Sequence, residues 1–199
     1  MSDHPSQDLR YFCVDIEASG PVPALYNMLS LGCVAIAPPA ATGAEPTPGA
    51  SLYVEIRPSF PGFDEGAMKV NGLDREALER DGIGARAALE RLTAFVDANR
   101  PAGARAVFVG HNAPFDWSYV NFYYRHEGLP NPFGYSALDT KALAMGALKL
   151  PWPDTNKETL EKRLSLPSQD ATQIHRADYD ARYQALIFCG LMNRLGLSL

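Results

Sequence analysis

Residues Tyr11-Phe12-Cys13-Val14-Asp15-Ile16-Glu17 form an apolar run that ends in two carboxylates, followed by Ala18-Ser19-Gly20. Its branched and aromatic residues predict a β-strand. Side chains alternate faces along a strand, so Asp15 and Glu17 share one face while Phe12, Val14 and Ile16 take the other. Any fold that buries this strand brings two like charges to the edge of its core, where they repel and resist desolvation. A hard divalent cation such as Mg²⁺ or Mn²⁺ resolves that conflict, because such ions favour oxygen ligands. The spacing itself is not diagnostic. Asp74/Glu76, Glu79/Asp81 and Asp178/Asp180 repeat it within polar stretches, where a solvated surface is the natural setting. Strand context singles out the first pair.

Two further strands are predicted over roughly 28–37 and 51–57, separated by a Pro-, Ala-, Gly- and Thr-rich stretch from Pro38 to Ala50. Because one strand run resumes directly after another, that stretch reads as a hairpin-loop insertion and not a domain linker. A helix is predicted from about 83 to 99, with Ala87, Leu89, Leu92, Phe95 and Val96 as its apolar stripe. Arg105–Gly110 reads as a short buried strand, and Pro114 suits the first turn of a following helix, where its missing N–H costs nothing. A strand over 135–138, a helix over 140–148 and a last helix over 178–194 complete the pattern. In the last helix Ala181, Ala185, Phe188, Cys189 and Met192 face the core. These elements predict an α/β fold with a mixed central sheet of about five strands, the first three antiparallel, covered by helices. All 199 residues read as one domain with a polar tail over 1–9.

The net charge of −5 and absence of any Lys/Arg run argue against a partner gripped through many phosphates. Nucleic-acid contacts, if made, should be short or made through bound metal. No apolar run approaches a membrane span, and Met1 to Arg10 lacks the apolar segment of a secretory signal. Cys13, Cys33 and Cys189 lie in apolar segments at no metal-ligand spacing, which predicts reduced, buried thiols in a cytoplasmic protein and argues against zinc.

Three other sites carry acids in segments that are not obviously surface. Asp116 falls in the first turn of the helix after the 105–110 strand, where complementing the helix dipole is an equally good explanation. Asp139 sits at a strand-to-helix junction and reads chiefly as an N-cap. Asp178 reads as the cap of the last helix, whereas Asp180, one step inside and downstream of His175, can face the sheet. Lone histidines such as His4 and His126 read as surface residues, and His111 as a hydrogen-bonding partner within its loop.

Val14-Asp15-Ile16-Glu17-Ala18-Ser19-Gly20, His111-Asn112-Ala113-Pro114-Phe115-Asp116, Leu138-Asp139-Thr140 and His175-Arg176-Ala177-Asp178-Tyr179-Asp180 occur in this order across nearly the whole chain. In that combination the sequence resembles the DEDD superfamily of 3′–5′ exonucleases, in its DEDDh branch, which includes ribonuclease T, oligoribonuclease and polymerase proofreading subunits. The tyrosine branch would carry Tyr four residues before the last Asp, where Arg176 stands. The resemblance implies an RNase H-like fold and hydrolysis from a 3′ end that releases nucleoside 5′-monophosphates. Asp15, Glu17, Asp116 and Asp180 would hold two divalent metal ions, Mg²⁺ or Mn²⁺, which activate the attacking water and neutralise the departing 3′ oxygen. His175 would accept the water's proton, as imidazoles do near neutral pH.

Many family members carry Thr after the acidic pair to contact the terminal sugar, and this chain has Ala18-Ser19-Gly20-Pro21. The resemblance therefore assigns substrate contact to Ala18, Ser19, Gly20, Asn112 and Phe115, with Ser19 or backbone groups meeting the sugar. Tyr26, Phe115 and Trp117 are candidates for base stacking, against a better prior of core packing. Leu25 and Met28 fit the start of the second strand better than a wedge between bases. The expected partner is single-stranded or short nucleic acid with a free 3′ end, and a homodimer is within the family's range. The competing reading is a non-catalytic nucleic-acid-binding or assembly module that retains the fold.

Overall fold

The computed structural model describes residues 8–39 and 45–197. Strands β1 (Leu9–Ala18), β2 (Met28–Ala37) and β3 (Thr47–Glu55) form an antiparallel meander. β4 (Arg105–Gly110) and β5 (Ala137–Asp139) extend the sheet in parallel on the other flank of β1, giving the order β3-β2-β1-β4-β5. The predicted mixed five-stranded sheet is present, and β1 lies at its centre.

Helices cover both faces. Phe12, Val14 and Ile16 pack with α3 (Ala85–Ala98) and α4 (Ala113–His126) in one cluster. Cys13, Val34 and Val109 pack on the other face under Ala181, Ala185, Phe188, Cys189 and Met192 of α7 (Ala177–Arg194), as the apolar spacing of the last helix predicts. Gly32 on β2 lets α7 come this close: a Cβ there would overlap the Ala177 carbonyl and the Asp178 amide. All three cysteines are buried free thiols. Among the described residues, no helix is long and apolar enough to cross a membrane.

Several boundaries differ from expectation. β1 begins at Leu9, and β3 begins at Thr47, so residues 47–50 extend a strand and do not belong to the predicted loop. Pro48 is tolerated because β3 is an edge strand, and a register shift between Val34 and Ile36 accommodates the pairing of Ile36 with Pro48. The rest of that predicted loop falls partly outside the described residues, as do His4 and most of the predicted tail. Leu25 precedes β2, in a turn where Ala24 has φ 71°, and is exposed. Ala87 is exposed because Ala85 and Ala88, with Leu89, Leu92 and Val96, take the buried stripe of α3.

Sequence periodicity misses α1 (Glu65–Asn71), α2 (Arg75–Asp81) and α6 (Lys157–Leu164), each too short to show a repeating apolar face. Their caps are the legible signal: Asp64, Asp74 and Asn156 each accept backbone N–H groups of the first turn. α5 (Thr140–Leu148) and a 3₁₀ turn at Trp152–Thr155 carry the chain into α6.

Candidate active site

The carboxylates meet where β1 outruns its neighbour. β4 pairs with β1 only as far as Cys13, leaving that flank of Asp15–Ala18 without a strand partner. Asp116, in the first turn of α4, fills the gap by accepting the Ile16 N–H at 3.0 Å. A register shift between Glu17 and Ala18 then turns the strand end. Glu17, Asp116 and Asp180 are all buried, and Asp180 lies in the first turn of α7.

Asp178 does not cap α7. Arg176 occupies the N-cap position, and Asp178 pairs with its guanidinium at 2.7 Å. The i, i+2 spacing that puts two side chains on one face of a strand separates them on a helix, so only Asp180 reaches the cavity. Its Oδ2 accepts the His175 N–H at 2.7 Å, and its Oδ1 is ion-paired with the Lys157 ammonium. His175 is exposed and adopts left-handed backbone (φ 68°), which costs a residue with a Cβ about 1 kcal/mol.

These groups line a cavity of about 400 Å³ formed by Asp15, Glu17, His111, Asn112, Phe115, Asp116, Lys157, His175 and Asp180, among others. One potential ligand atom from each of Glu17, His175 and Asp180 lies within 4.8 Å of the others. Crowding shows in the proton equilibria. Burial, then Asp116, Asp180 and Glu17, holds the Asp15 carboxyl well above its ordinary range against the pull of Lys157. Burial, then Asp180 and Asp116, raises Glu17 to about 8. Asp116 is raised to about 7, chiefly by burial, although the Ile16 N–H opposes the shift. Four carboxylates facing a single ammonium form an oxygen-rich donor set short of positive charge, which fits hard divalent cations.

His111 is not confined to its loop: its Nδ1 lies 2.9 Å from Thr140 Oγ1, at the start of α5. Burial, reinforced by Lys157 and Lys141, lowers it to about 3, so this imidazole is neutral at working pH. Asp139 is the predicted cap, accepting the Lys141 N–H at 3.1 Å. It also accepts the Asn112 N–H at 3.0 Å, tying the 111–113 turn to α5.

A second cavity of about 450 Å³ adjoins the first across Ile16, Glu17 and Phe115. Ala18, Gly20 and Pro21 form one wall, and Asp64, Ala67, Val70 and Asn71 around α1 form the other. Of the predicted substrate contacts, Ala18, Gly20 and Phe115 line this space, while Asn112 and Phe115 line the first. Ser19 lines neither. It is fully buried, donates to the Gly62 carbonyl at 2.7 Å and accepts the Asn27 N–H at 2.8 Å. A hydroxyl so engaged holds the loop after β1 and opens onto neither cavity. Trp117 packs on Phe108 of the core, and Tyr26 lies against Gly20, where a Cβ would overlap its ring.

Sequence reasoning missed Lys157, Gln184 and the α1 wall. Gln184 is buried, donates its amide to Asp15 and accepts the His111 N–H at 3.1 Å. Its position four residues after Asp180, on the same helix face, was a usable signal. Lys157 carried none, because it approaches Asp180 from a different helix.

The chain is similar to known proteins. The chain is 36% identical over 179 residues to the 3′-5′ DNA exonuclease Cap18 of Escherichia coli, covering 89% of each protein. It belongs to the DEDDh family of 3′–5′ exonucleases. Ribonuclease T of Escherichia coli (strain K12) is 31% identical over 155 residues, covering 74% of this chain and 68% of the relative. No family model matches the chain. Among solved structures, the nuclease domain of 3′hExo, a DEDDh family member bound to rAMP, superposes with a TM-score of 0.76 at 13% identity. The match covers 98% of this chain and 96% of that one. Exonuclease I of E. coli in complex with a dT13 oligonucleotide gives 0.67 at 17% identity, with 94% and 41% covered. At such low identity these matches establish the RNase H-like fold, which is the fold expected.

Proposed function

We propose that this chain hydrolyses single-stranded or short nucleic acid from the 3′ end, releasing one nucleoside 5′-monophosphate per step. The observation that carries this reading is the meeting of Asp15, Glu17, Asp116, Asp180 and His175, contributed by β1, α4, α7 and the turn before α7, around one cavity. The relatives' names and the nucleic acids bound in several solved neighbours support the substrate class.

Asp15, Glu17 and Asp180, with Asp116 directly or through water, would hold two divalent cations, Mg²⁺ or Mn²⁺, which when bound would supply an activated water and charge neutralisation for the departing 3′ oxygen. Asp116 also keeps β1 in register with α4 through Ile16, and Gln184 orients Asp15. His175, exposed at the cavity rim, takes the proton from the attacking water and passes it to solvent. His111 stays neutral, so it adds no charge beside the carboxylates. Phe115, between the two cavities, stacks the terminal base, and the apolar space beside α1 receives it. Because the protein grips only the last few nucleotides, a net charge of −5 is no obstacle.

The test uses 5′-labelled RNA and DNA of two, five and twenty nucleotides with Mg²⁺ or Mn²⁺. We expect a ladder shortening from the 3′ end, with loss of more than about 100-fold in Asp15→Ala. Folded protein that yields no ladder in either metal would return the chain to the binding-module reading.

A further inference from the structure

We propose that Lys157 is a substrate-binding residue that contacts the phosphodiester at the 3′ end. Its ammonium leaves Asp180 for a non-bridging phosphate oxygen once divalent cations occupy the carboxylates. This rests on the exonuclease reading above.

Lys157 has no local reason to be where it is. It is the first residue of α6, where a positive charge opposes the helix dipole, and the capping of that helix is done by Asn156. Its side chain is only 24% exposed, against 70% for Lys162 in the same helix. Its ammonium lies on Asp180, and its charge also acts on Asp15, Glu17, Asp116 and His111. Among the described residues lining this cavity, it is the one Lys or Arg. Helix α6 is a fixed base, anchored by fully buried Leu160 and preceded by fully buried Thr155. The flexible four-carbon stem can therefore move the charge while the backbone stays still.

The Lys157 ammonium and a divalent ion compete for the same Asp180 oxygen, and the doubly charged ion is attracted more strongly. A divalent ion at Asp180 displaces the ammonium, and the other carboxylates are engaged by the same ions. The anion left within reach is the phosphodiester between the terminal nucleotides, to which Lys binds as a point charge. On this account Lys157 neutralises the empty carboxylate cluster and then the substrate.

The experiment compares the wild-type chain with Lys157→Met, which keeps length and apolar stem, and Lys157→Arg, which keeps charge. An oligonucleotide whose last phosphodiester has a methylene in place of the bridging 3′ oxygen serves as the non-cleavable ligand, in Mg²⁺ over a range of KCl. Lys157→Met should bind it about tenfold more weakly, and the slope of log affinity against log salt should flatten by about 0.7, the value for one lost single-strand phosphate contact. Lys157→Arg should restore most of that slope. Mg²⁺ affinity without oligonucleotide, read by calorimetry, should be unchanged or tighter in Lys157→Met, because its competitor is gone. An unchanged salt slope in folded Lys157→Met overturns the proposal. So does weakened Mg²⁺ binding, which would make Lys157 an organiser of the carboxylates. Failure of the wild-type chain to shorten the natural oligonucleotide would instead remove the exonuclease reading.

Discussion

Cation binding at this site should be coupled to proton release, and the size of the coupling follows from the crowded carboxylates. Without metal, Glu17 titrates at about 8 and Asp116 at about 7, while Asp15 lies well above its ordinary range. At pH 6 Glu17 and Asp116 together carry about two protons, which a cation must expel because only the ionised oxygens bind it. Two protons released per site correspond to an affinity that rises about 100-fold per pH unit near pH 6. By pH 8.5 both groups are mostly ionised, so release falls below one proton and the curve flattens. Stability follows the same sign. Both folded-state values are raised, so stability contributed by the protonated acids is present below about 4.5 and lost as pH rises through about 7 to 8. The metal-free chain should therefore melt at lower temperature across that window, and added Mg²⁺ or Mn²⁺ should recover most at its upper end. Calorimetric titration in two buffers of different ionisation heat counts the protons. Release of half a proton or fewer at pH 6 would refute the reasoning, showing that Lys157 and hydration already hold the carboxylates ionised.

His175→Ala should reduce turnover about 10²- to 10⁴-fold while leaving Mg²⁺ affinity nearly intact; a large loss of affinity would make His175 a ligand, a role its proximity to Glu17 and Asp180 permits. Ser19→Ala should cost about 2 kcal/mol in urea unfolding by leaving the buried Asn27 backbone N–H unpaired, with little change in KM; the Gly62 carbonyl keeps the Asn27 side-chain amide. A raised KM at unchanged stability would instead restore its sugar contact. Gly32→Ala should lose about 1–3 kcal/mol and much of its activity, because the new methyl pushes the start of α7, and Asp180 with it, away from the sheet. Full activity in that variant would mean the α7 terminus yields without moving the site.

Asp15 and Glu17 were legible as a pair because strand alternation is a local rule and the apolar residues around them set the face. The last helix was legible for the same reason, since one long periodic segment carries its own signal. Asp180 was harder: the Asp178/Asp180 spacing looked like exposed surface, and only helical geometry separates the two. Short helices α1, α2 and α6 escaped notice because seven or eight residues hold barely two turns, leaving only their caps to read.

By itself the sequence determined the order of the strands and the longer helices, the sheet's mixed character and the identity of the acidic groups with His175, all of which follow from nearest-neighbour pattern and motif order. Tertiary structure alone decided which of these groups share one volume and what each pays in desolvation. It turned Ser19 inward, joined Gln184 of α7 to Asp15 of β1 and set Lys157 among the carboxylates. Those outcomes depend on contacts between segments remote in the chain, and no local periodicity encodes them.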